Sequence, residues 1–120
     1  MPAKTAAELS LTVVVPVLNE EILLPSFLAK VVDDLTNAGL DWELILVNDG
    51  STDKSADIMR AFVNLTPRAR LIELNGNHGP GANLYEAYRV AKKQYVCYAT
   101  VDGFYDTQLL AELMTYFVDH

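Results

Sequence analysis

The chain has 120 residues and is 51% hydrophobic, which is enough for one domain with a real core and excludes a disordered segment. Nine basic and sixteen acidic residues give a formal net charge of −7, so a nucleic-acid partner, which would need clustered Lys and Arg, is not expected. Cys97 is the single cysteine and indicates a buried thiol in a reducing compartment. No segment approaches the ~20 apolar residues of a membrane span, and no secretion signal stands at the start, so a cytoplasmic protein is expected.

Strand-like and helix-like segments alternate four times along the sequence. The first strand, Leu11 to Val17, is apolar and β-branched, which is typical of a strand buried on both faces. A helix follows from Leu24, with apolar residues at spacings of three and four, and Asn37 and Gly39 stop it. The later strands are predicted at Trp42 to Val47, Arg70 to Leu74 and Tyr95 to Val101. The later helices are predicted around Ile58 to Val63, around Leu84 to Ala91, and from Asp106 or Thr107 onward.

Four successive strand–helix units imply an α/β fold with a parallel sheet and helices on both of its faces. Ser51 or Thr52 is expected to cap the second helix, because a hydroxyl can accept a hydrogen bond from the first turn. The segment containing Gly79, Pro80 and Gly81 is expected to be a loop that turns tightly into the third helix.

Two of the predicted strands stop abruptly at carboxylates and amides. The first continues into Leu18-Asn19-Glu20-Glu21 and the second into Asn48-Asp49-Gly50. Parallel strands end at a common edge of the sheet, where ligands bind between the loops. We therefore favour a ligand role for Asp49. At least one of Glu20 and Glu21 can simply complement the dipole of the following helix, and we assign Glu20 to the ligand because it is nearer the strand end. Such an edge suits hydroxyls, base edges or a divalent cation.

Other polar residues give weaker signals. Asp102 follows the fourth strand and is a candidate ligand for a hard cation, whereas Asp106 is expected to cap a helix. His78 stands alone in a loop, which argues against zinc. The glycines of the third loop do not form a dinucleotide motif, because Leu84 stands where the third glycine would be and the segment follows the third strand instead of the first. They do not form a phosphate-binding P-loop either, because no Gly-Lys-Ser/Thr ending is present.

Taken together, these motifs resemble the first half of family 2 glycosyltransferases of the GT-A fold, and most closely the enzymes that make polyprenyl- and dolichyl-phosphate sugars. The stretches that carry the resemblance are Val14 to Glu21, Val47 to Asp53, Asn77 to Ala82 and Thr100 to Asp106. It implies an α/β three-layer sandwich with a mostly parallel, Rossmann-like sheet. Residues 1–10 would be an N-terminal extension, and residues 11–120 the nucleotide-sugar-binding part of the domain. Family members continue further, so the fold is expected to be incomplete here.

The resemblance also implies residue roles. Pro16, Leu18 and Glu20 would line the nucleotide, and Val47 and Asp49 would hold its base and ribose. The donor would be a UDP- or GDP-sugar. The acceptor would be a polyprenyl phosphate, which would bring the protein to the cytoplasmic face of a membrane. We nominate no catalytic residue.

The triplet Thr100-Val101-Asp102 occupies the place of the family's Asp-x-Asp motif. By resemblance, Val101 would contact the nucleotide sugar, and Asp102 would hold Mg²⁺ or Mn²⁺ against the diphosphate. Thr100 departs from the motif and leaves one carboxylate. Leu18 departs too, because close relatives often have an aromatic residue there.

Two alternatives follow from these departures and from the length. One is a receiver-like signalling domain that is phosphorylated on an aspartate at a strand end. The other is a degenerate, non-catalytic GT-A interaction module, which would form homo-oligomers through its sheet edge or its last helix.

Overall fold

A computed structural model of the chain describes residues 9–74 and 79–102, and for residues 79–84 it describes the backbone alone. Within these ranges four strands alternate with three helices. They are β1 (Ser10–Val17), α1 (Leu24–Asn37), β2 (Asp41–Asn48), α2 (Ser55–Leu65), β3 (Ala69–Glu73), α3 (Gly79–Val90) and β4 (Tyr95–Tyr98). The predicted alternation is confirmed. The predicted helix from Asp106 or Thr107 and the loop residue His78 lie outside the described residues.

The sheet has the order β3-β2-β1-β4, and all three pairings are parallel. β1 lies between β2 and β4, with Val17 opposite Asn48 and Val14 opposite Tyr98. The valine-rich sequence of β1 suits this central position, because a central strand covered by helices buries its side chains on both faces of the sheet. Since the strands are parallel, the segments that follow β1, β2 and β4 leave the sheet at one common edge, the carboxyl edge.

Helices cover both faces of the sheet, which gives three layers. On one face, Val13 and Val15 of β1 pack in a cluster with Leu28 of α1 and Met59 of α2. On the other face, Val14, Ile45 and Val47 pack with Ala87 of α3. The alternation of side chains along β1 and β2 therefore feeds two separate apolar layers. Among the described residues, no helix combines the length and the apolar character that crossing a bilayer requires.

Some element boundaries differ from the prediction. Helix α3 begins at Gly79, so Gly79, Pro80 and Gly81 belong to its first turn and not to a loop. Proline is suited to a first helical turn, because its missing N–H would have had no partner within the helix. β4 ends at Tyr98 and not at Val101, although the backbone N–H of Ala99 still donates to the carbonyl oxygen of Val14 at 2.9 Å.

Leu9 and Ser10 fall within the predicted N-terminal extension, but both contribute to the sheet region. Ser10 is the first residue of β1, and Leu9 is buried in the core cluster of the α1 and α2 face. The carbonyl oxygen of Leu9 accepts a hydrogen bond from Asp41 N–H at 3.1 Å.

A buried carboxylate fastens the opposite, amino edge of the sheet. Glu43 of β2 is 8% exposed and accepts hydrogen bonds from the Thr12 hydroxyl and the Lys92 backbone N–H, both at 2.6 Å. Its second oxygen accepts from the Arg70 guanidinium at 2.8 Å. Burial raises the pKa of Glu43, but the hydrogen bonds from Thr12, Lys92 and Arg70 and the positive charge of Arg70 outweigh it, so the pKa lies below its ordinary value of 4.5. One side chain thus links β1, β2, β3 and the segment after α3.

We expect the Glu43→Gln variant to be less stable than the unmodified chain by about 1.5–3 kcal/mol at pH 7, the usual value of hydrogen bonds to a charged group. Because folding lowers the pKa of Glu43, its stabilising effect is present above the unfolded-state pKa and is lost as the pH falls through the folded-state pKa. The difference between the two proteins should therefore shrink below about pH 4.5. Urea unfolding across the pH range measures both quantities.

Glu86→Gln is the matched control, because Glu86 pairs with Arg89 at 3.3 Å on the exposed side of α3. It should change the free energy of unfolding by less than about 0.5 kcal/mol. A Glu43→Gln deficit that stayed constant down to pH 3 would contradict the assigned role of the carboxylate.

Candidate functional site

The loops that follow β1 and β2 leave the sheet side by side. The N–H of Asp49 donates to the carbonyl oxygen of Val17 at 3.0 Å, which extends the β1–β2 ladder by one residue. Beyond this point each loop contains a residue with positive φ, Asn19 at 53° and Gly50 at 86°. A Cβ at Gly50 would cost roughly 1–2 kcal/mol in this conformation, whereas asparagine tolerates it better than most residues. The two loops therefore turn at defined places.

Asn19 connects the first loop to the second. Its side-chain oxygen accepts hydrogen bonds from Thr52 N–H at 2.8 Å, from Asp53 N–H at 3.3 Å and from the Thr52 hydroxyl at 3.4 Å. Its own backbone N–H donates to the hydroxyl oxygen of Ser51 at 3.0 Å. One residue of the first loop thus satisfies two successive backbone groups of the second.

The next two residues continue this pairing. Glu20 N–H donates to the hydroxyl oxygen of Ser55 at 2.9 Å, and Glu21 N–H donates to the Asp53 carboxylate at 3.2 Å. In the reverse direction, the Glu21 carboxylate accepts from Lys54 N–H at 3.3 Å. We call the hydrogen bonds between residues 19–21 and residues 51–55 the loop junction.

Asp53 serves both sides of the loop junction. One of its carboxylate oxygens accepts from Glu21 N–H, and the other accepts from Ser55 N–H at 2.8 Å. Desolvation raises the pKa of Asp53, but the hydrogen bonds from the Ser55 side chain and from the Ser55 and Glu21 backbones outweigh it and lower the pKa below 3.8. The carboxylate is therefore charged at neutral pH and acts as a fixed acceptor.

The prediction that Ser51 or Thr52 caps helix α2 is wrong. The helix begins at Ser55, and its N-cap residue, Lys54, makes no side-chain capping bond. Ser51 and Thr52 lie too early in the loop to reach the first turn and bind Asn19 instead. The Asp53 carboxylate takes the capping role, because it accepts from the backbone of the first helical residue.

The predicted site residues of the first two loops lie at the carboxyl edge with different exposures. Glu20 is half-buried and lines a cavity of about 430 Å³, whose other walls come from Asn19, Glu21, Ile22, Leu23 and Asp53. Asp49 is 4% exposed, Pro16 is half-buried and Leu18 is 38% exposed. Val47 packs in the core against α3, so its side chain belongs to the apolar layer.

The segment after β4 reaches the same edge on the other side of β1. Val101 is buried in the core cluster, whereas Asp102 is exposed. The Thr100 hydroxyl donates to the Asp102 carboxylate at 2.7 Å, which fixes that side chain. Within residues 9–74 and 79–102, no three His, Cys, Asp or Glu side chains converge to hold a metal unaided. One carboxylate still fits Mg²⁺, because this ion is usually held by one or two carboxylates together with phosphate oxygens and water.

A second cavity of about 410 Å³ lies at the amino edge, and both of its carboxylates are paired with basic side chains of its walls. Asp41 binds the Lys93 ammonium at 3.0 Å, and Glu43 binds Arg70 at 2.8 Å. Arg68 lies over the Trp42 ring at 5.3 Å from its centre. These pairs hold the strand starts together, so this cavity has a structural explanation and the carboxyl edge is the better candidate site.

Sequence reasoning missed the residues that build the loop junction, namely Asn19, Asp53 and Ser55. Asn19 offered a signal, since asparagine two residues beyond a strand end is suited to a left-handed turn. Ser55 is completely buried, and its hydroxyl oxygen faces the Glu20 N–H of the other loop. The hydrogen-bond partners of Asn19 and Ser55 cannot be predicted from the residues next to them in sequence, because each partner lies more than thirty positions away.

Comparison with known proteins identifies the fold and the family. The family model described as glycosyl transferase family 2 matches residues 12–120. The chain is 32% identical over 103 residues to the poly(ribitol-phosphate) beta-glucosyltransferase of Bacillus spizizenii, which covers 85% of this chain and 16% of that protein. It is 35% identical over 96 residues to the dodecaprenyl-phosphate galacturonate synthase of Rhizobium johnstonii, which covers 79% of this chain and 28% of that protein.

Among solved structures, the chain is similar to the mannosyltransferase PcManGT of Pyrobaculum calidifontis in complex with GDP-Man and Mn²⁺. The TM-score is 0.72 and the identity 26%, over 84% of this chain and 30% of that one. The present chain thus spans less than a third of each of these three proteins. The resemblance noted in the sequence is confirmed, the fold is GT-A, and the chain belongs to glycosyltransferase family 2, a family of enzymes.

Proposed function

We propose that residues 11–120 form the donor-binding part of a glycosyltransferase that takes its sugar from a nucleoside diphosphate sugar. The observation that carries this proposal is the loop junction, which fixes two acid-bearing loops beside each other at the carboxyl edge of a family 2 fold. The structurally similar mannosyltransferase PcManGT was solved with GDP-Man, which supports this class of ligand.

Asp49 and Glu20 are the residues we propose as polar contacts to the nucleoside. A carboxylate accepts hydrogen bonds from ribose hydroxyls and from base N–H groups, and a charged acceptor roughly doubles the strength of such bonds. The Glu20 carboxylate has no hydrogen bond or ion pair to other described residues, so it keeps its full accepting capacity. Leu18, which is partly exposed, and Pro16 supply apolar surface next to them.

Asp102 is the residue we propose to hold a divalent cation, Mg²⁺ or Mn²⁺, with Thr100 orienting its carboxylate. When bound, such a cation neutralises the diphosphate and stabilises it as a leaving group. The presence of Mn²⁺ in the PcManGT complex supports this choice of cofactor. The exposed position of Asp102 suits a metal that takes its remaining ligands from phosphate oxygens and water.

A polyprenyl phosphate is the acceptor we propose, at the cytoplasmic face of a membrane. The support comes from relatives named for dodecaprenyl, undecaprenyl and dolichyl phosphates. The acceptor would bring its own negatively charged oxygen as nucleophile. The described residues supply the donor side, and we assign none of them to deprotonation of the acceptor.

We expect the chain to bind GDP or UDP in the presence of Mn²⁺, and Asp49→Asn to weaken this binding by about ten- to hundredfold. The reason is the loss of one charged hydrogen-bond acceptor, worth about 1.5–3 kcal/mol. If the charge of Asp49 serves the ligand and not the fold, the melting temperature should hardly change. Calorimetric titration gives the affinity, and circular dichroism gives the melting temperature.

Asp33→Asn is the matched control, since it removes the same charge from the exposed surface of α1, and it should bind like the unmodified chain. A large drop in melting temperature for Asp49→Asn would assign Asp49 to folding instead. Absence of heat at millimolar GDP and UDP would favour the non-catalytic module. A stable phospho-adduct at Asp49 or Asp102 after treatment with a small phosphodonor would favour the receiver-like domain.

We expect Asp102→Asn to abolish the benefit of Mn²⁺ for diphosphate binding while leaving metal-independent nucleoside binding unchanged. The amide lacks the charge that attracts the cation, whereas the nucleoside contacts lie on the other two loops. Titrations of GDP and guanosine, each with and without Mn²⁺, separate the two effects. If Asp102→Asn keeps the full Mn²⁺ effect on GDP, the metal is held elsewhere.

A further inference from the structure

We propose that Asn19 is a positioning residue for the donor nucleotide, which holds the two nucleotide-binding loops at a fixed separation. This inference rests on the proposed donor-binding function and deepens it. Asn19 itself would not contact the ligand. It acts through the loop junction, in which its side-chain oxygen accepts from Thr52 N–H and Asp53 N–H while its backbone N–H donates to the Ser51 hydroxyl oxygen.

The place of Asn19 in the chain is the first argument. It lies between Leu18 and Glu20, the two residues of the first loop that we assign to the nucleotide. Its partners on the second loop begin two residues after Asp49, across the turn at Gly50. A shift of the junction would therefore move both halves of the proposed site relative to each other.

The conformation of Asn19 is the second argument. The position requires a backbone φ of 53° and, at the same time, a short side chain with an acceptor oxygen. Glycine satisfies the first requirement alone, alanine satisfies neither at low cost, and aspartate satisfies both. Two requirements of different kinds thus meet in one residue, which allows substitutions to separate them.

The exposure of the junction is the third argument. The bonds from Thr52 and Asp53 to Asn19 lie at the surface, so water can replace the lost partner when the acceptor is removed. The fold should therefore tolerate the loss, because the core beneath does not depend on it. A nucleotide that bridges loosened loops must, however, order them again, and this cost appears as lost affinity. A positioning role thus predicts a larger effect on binding than on stability.

The test compares Asn19→Gly with the unmodified 120-residue chain in two measurements. Amide hydrogen exchange without ligand should become faster at Thr52 and Asp53 and stay unchanged at Val14 and Leu46 in the sheet. The Kd for GDP with Mn²⁺ should rise about tenfold, the effect of about one net hydrogen bond. Asn37→Gly, the same substitution at the exposed last residue of α1, is the matched control and should leave Kd and loop exchange unchanged.

Asn19→Asp is the conservative variant, because it keeps both the acceptor oxygen and the tolerance for positive φ. It should restore slow exchange at Thr52 and Asp53 and should bind GDP more tightly than Asn19→Gly does. The binding is measured at about 0.5 M salt, where a Debye length of roughly 4 Å limits the effect of the added charge on the diphosphate. If Asn19→Gly proves too unstable to study, Ser51→Ala takes its place, because it removes the acceptor of the Asn19 N–H; exchange at Asn19 should then become faster and the Kd for GDP should rise.

Each result has a defined meaning. If the unmodified chain binds GDP and Asn19→Gly binds it equally well, the positioning role is wrong while donor binding stands. If affinity falls but exchange at Thr52 and Asp53 does not change, Asn19 touches the ligand directly and the positioning role is again wrong. An Asn19→Asp variant no better than Asn19→Gly also contradicts it. If the unmodified chain binds neither GDP nor UDP, the proposed donor binding fails, and this inference fails with it.

Discussion

The central, parallel placement of β1 is the constraint on which the rest of the structure depends. Its backbone pairs with β2 on one side and with β4 on the other, and its side chains enter both apolar layers. A strand held in this way cannot slip by one residue, because every side chain would move to the opposite face. The ends of β1, β2 and β4 are therefore fixed relative to one another. The three segments that carry Glu20, Asp49 and Asp102 consequently leave the sheet at the same edge.

Beyond the strand ends, side chains replace the backbone ladder. The N–H groups of residues 19–21 no longer face a neighbouring strand, and they donate to Ser51, Ser55 and Asp53 instead. Much of the polar sequence at this edge is thus needed to satisfy the loops themselves. Glu20 and Glu21 show the consequence, because the Glu21 carboxylate accepts from Lys54 N–H while Glu20 engages the other loop through its backbone alone. These adjacent, identical side chains therefore have different surroundings: of the two carboxylates, that of Glu21 is bound within the loop junction, whereas that of Glu20 has no partner among the described residues.

The sequence predicted the elements well because their signals are local. The apolar β-branched residues of β1 and the spacing of apolar residues in α1 and α2 led to the observed strands and helices. Gly79-Pro80-Gly81 misled the prediction, because the residue types that form loops also occur in a first helical turn. The capping of α2 was missed for a different reason. Ser51 and Thr52 have the right chemistry for a cap, and only the distant Asn19 determines that they bond across to the first loop. The same limit applies to the candidate site. The parallel topology was enough to predict that the site lies at the carboxyl edge, but the hydrogen bonds of the loop junction could not be predicted from it.

The distribution of charge adds an argument for a cation that is independent of family membership. Glu20, Asp49 and Asp102 belong to the carboxyl edge, and the Asp53 carboxylate is held in its charged form there. Arg68, Arg70, Lys92 and Lys93 line the cavity at the amino edge, at the other end of the strands. A diphosphate brought to the carboxyl edge would thus meet carboxylates of its own sign, in a chain of net charge −7. Among the described basic residues near this edge, Arg60 is bound to Glu73 at 2.6 Å and Lys54 is exposed. A divalent cation held by Asp102, as we propose, would add positive charge close to the diphosphate.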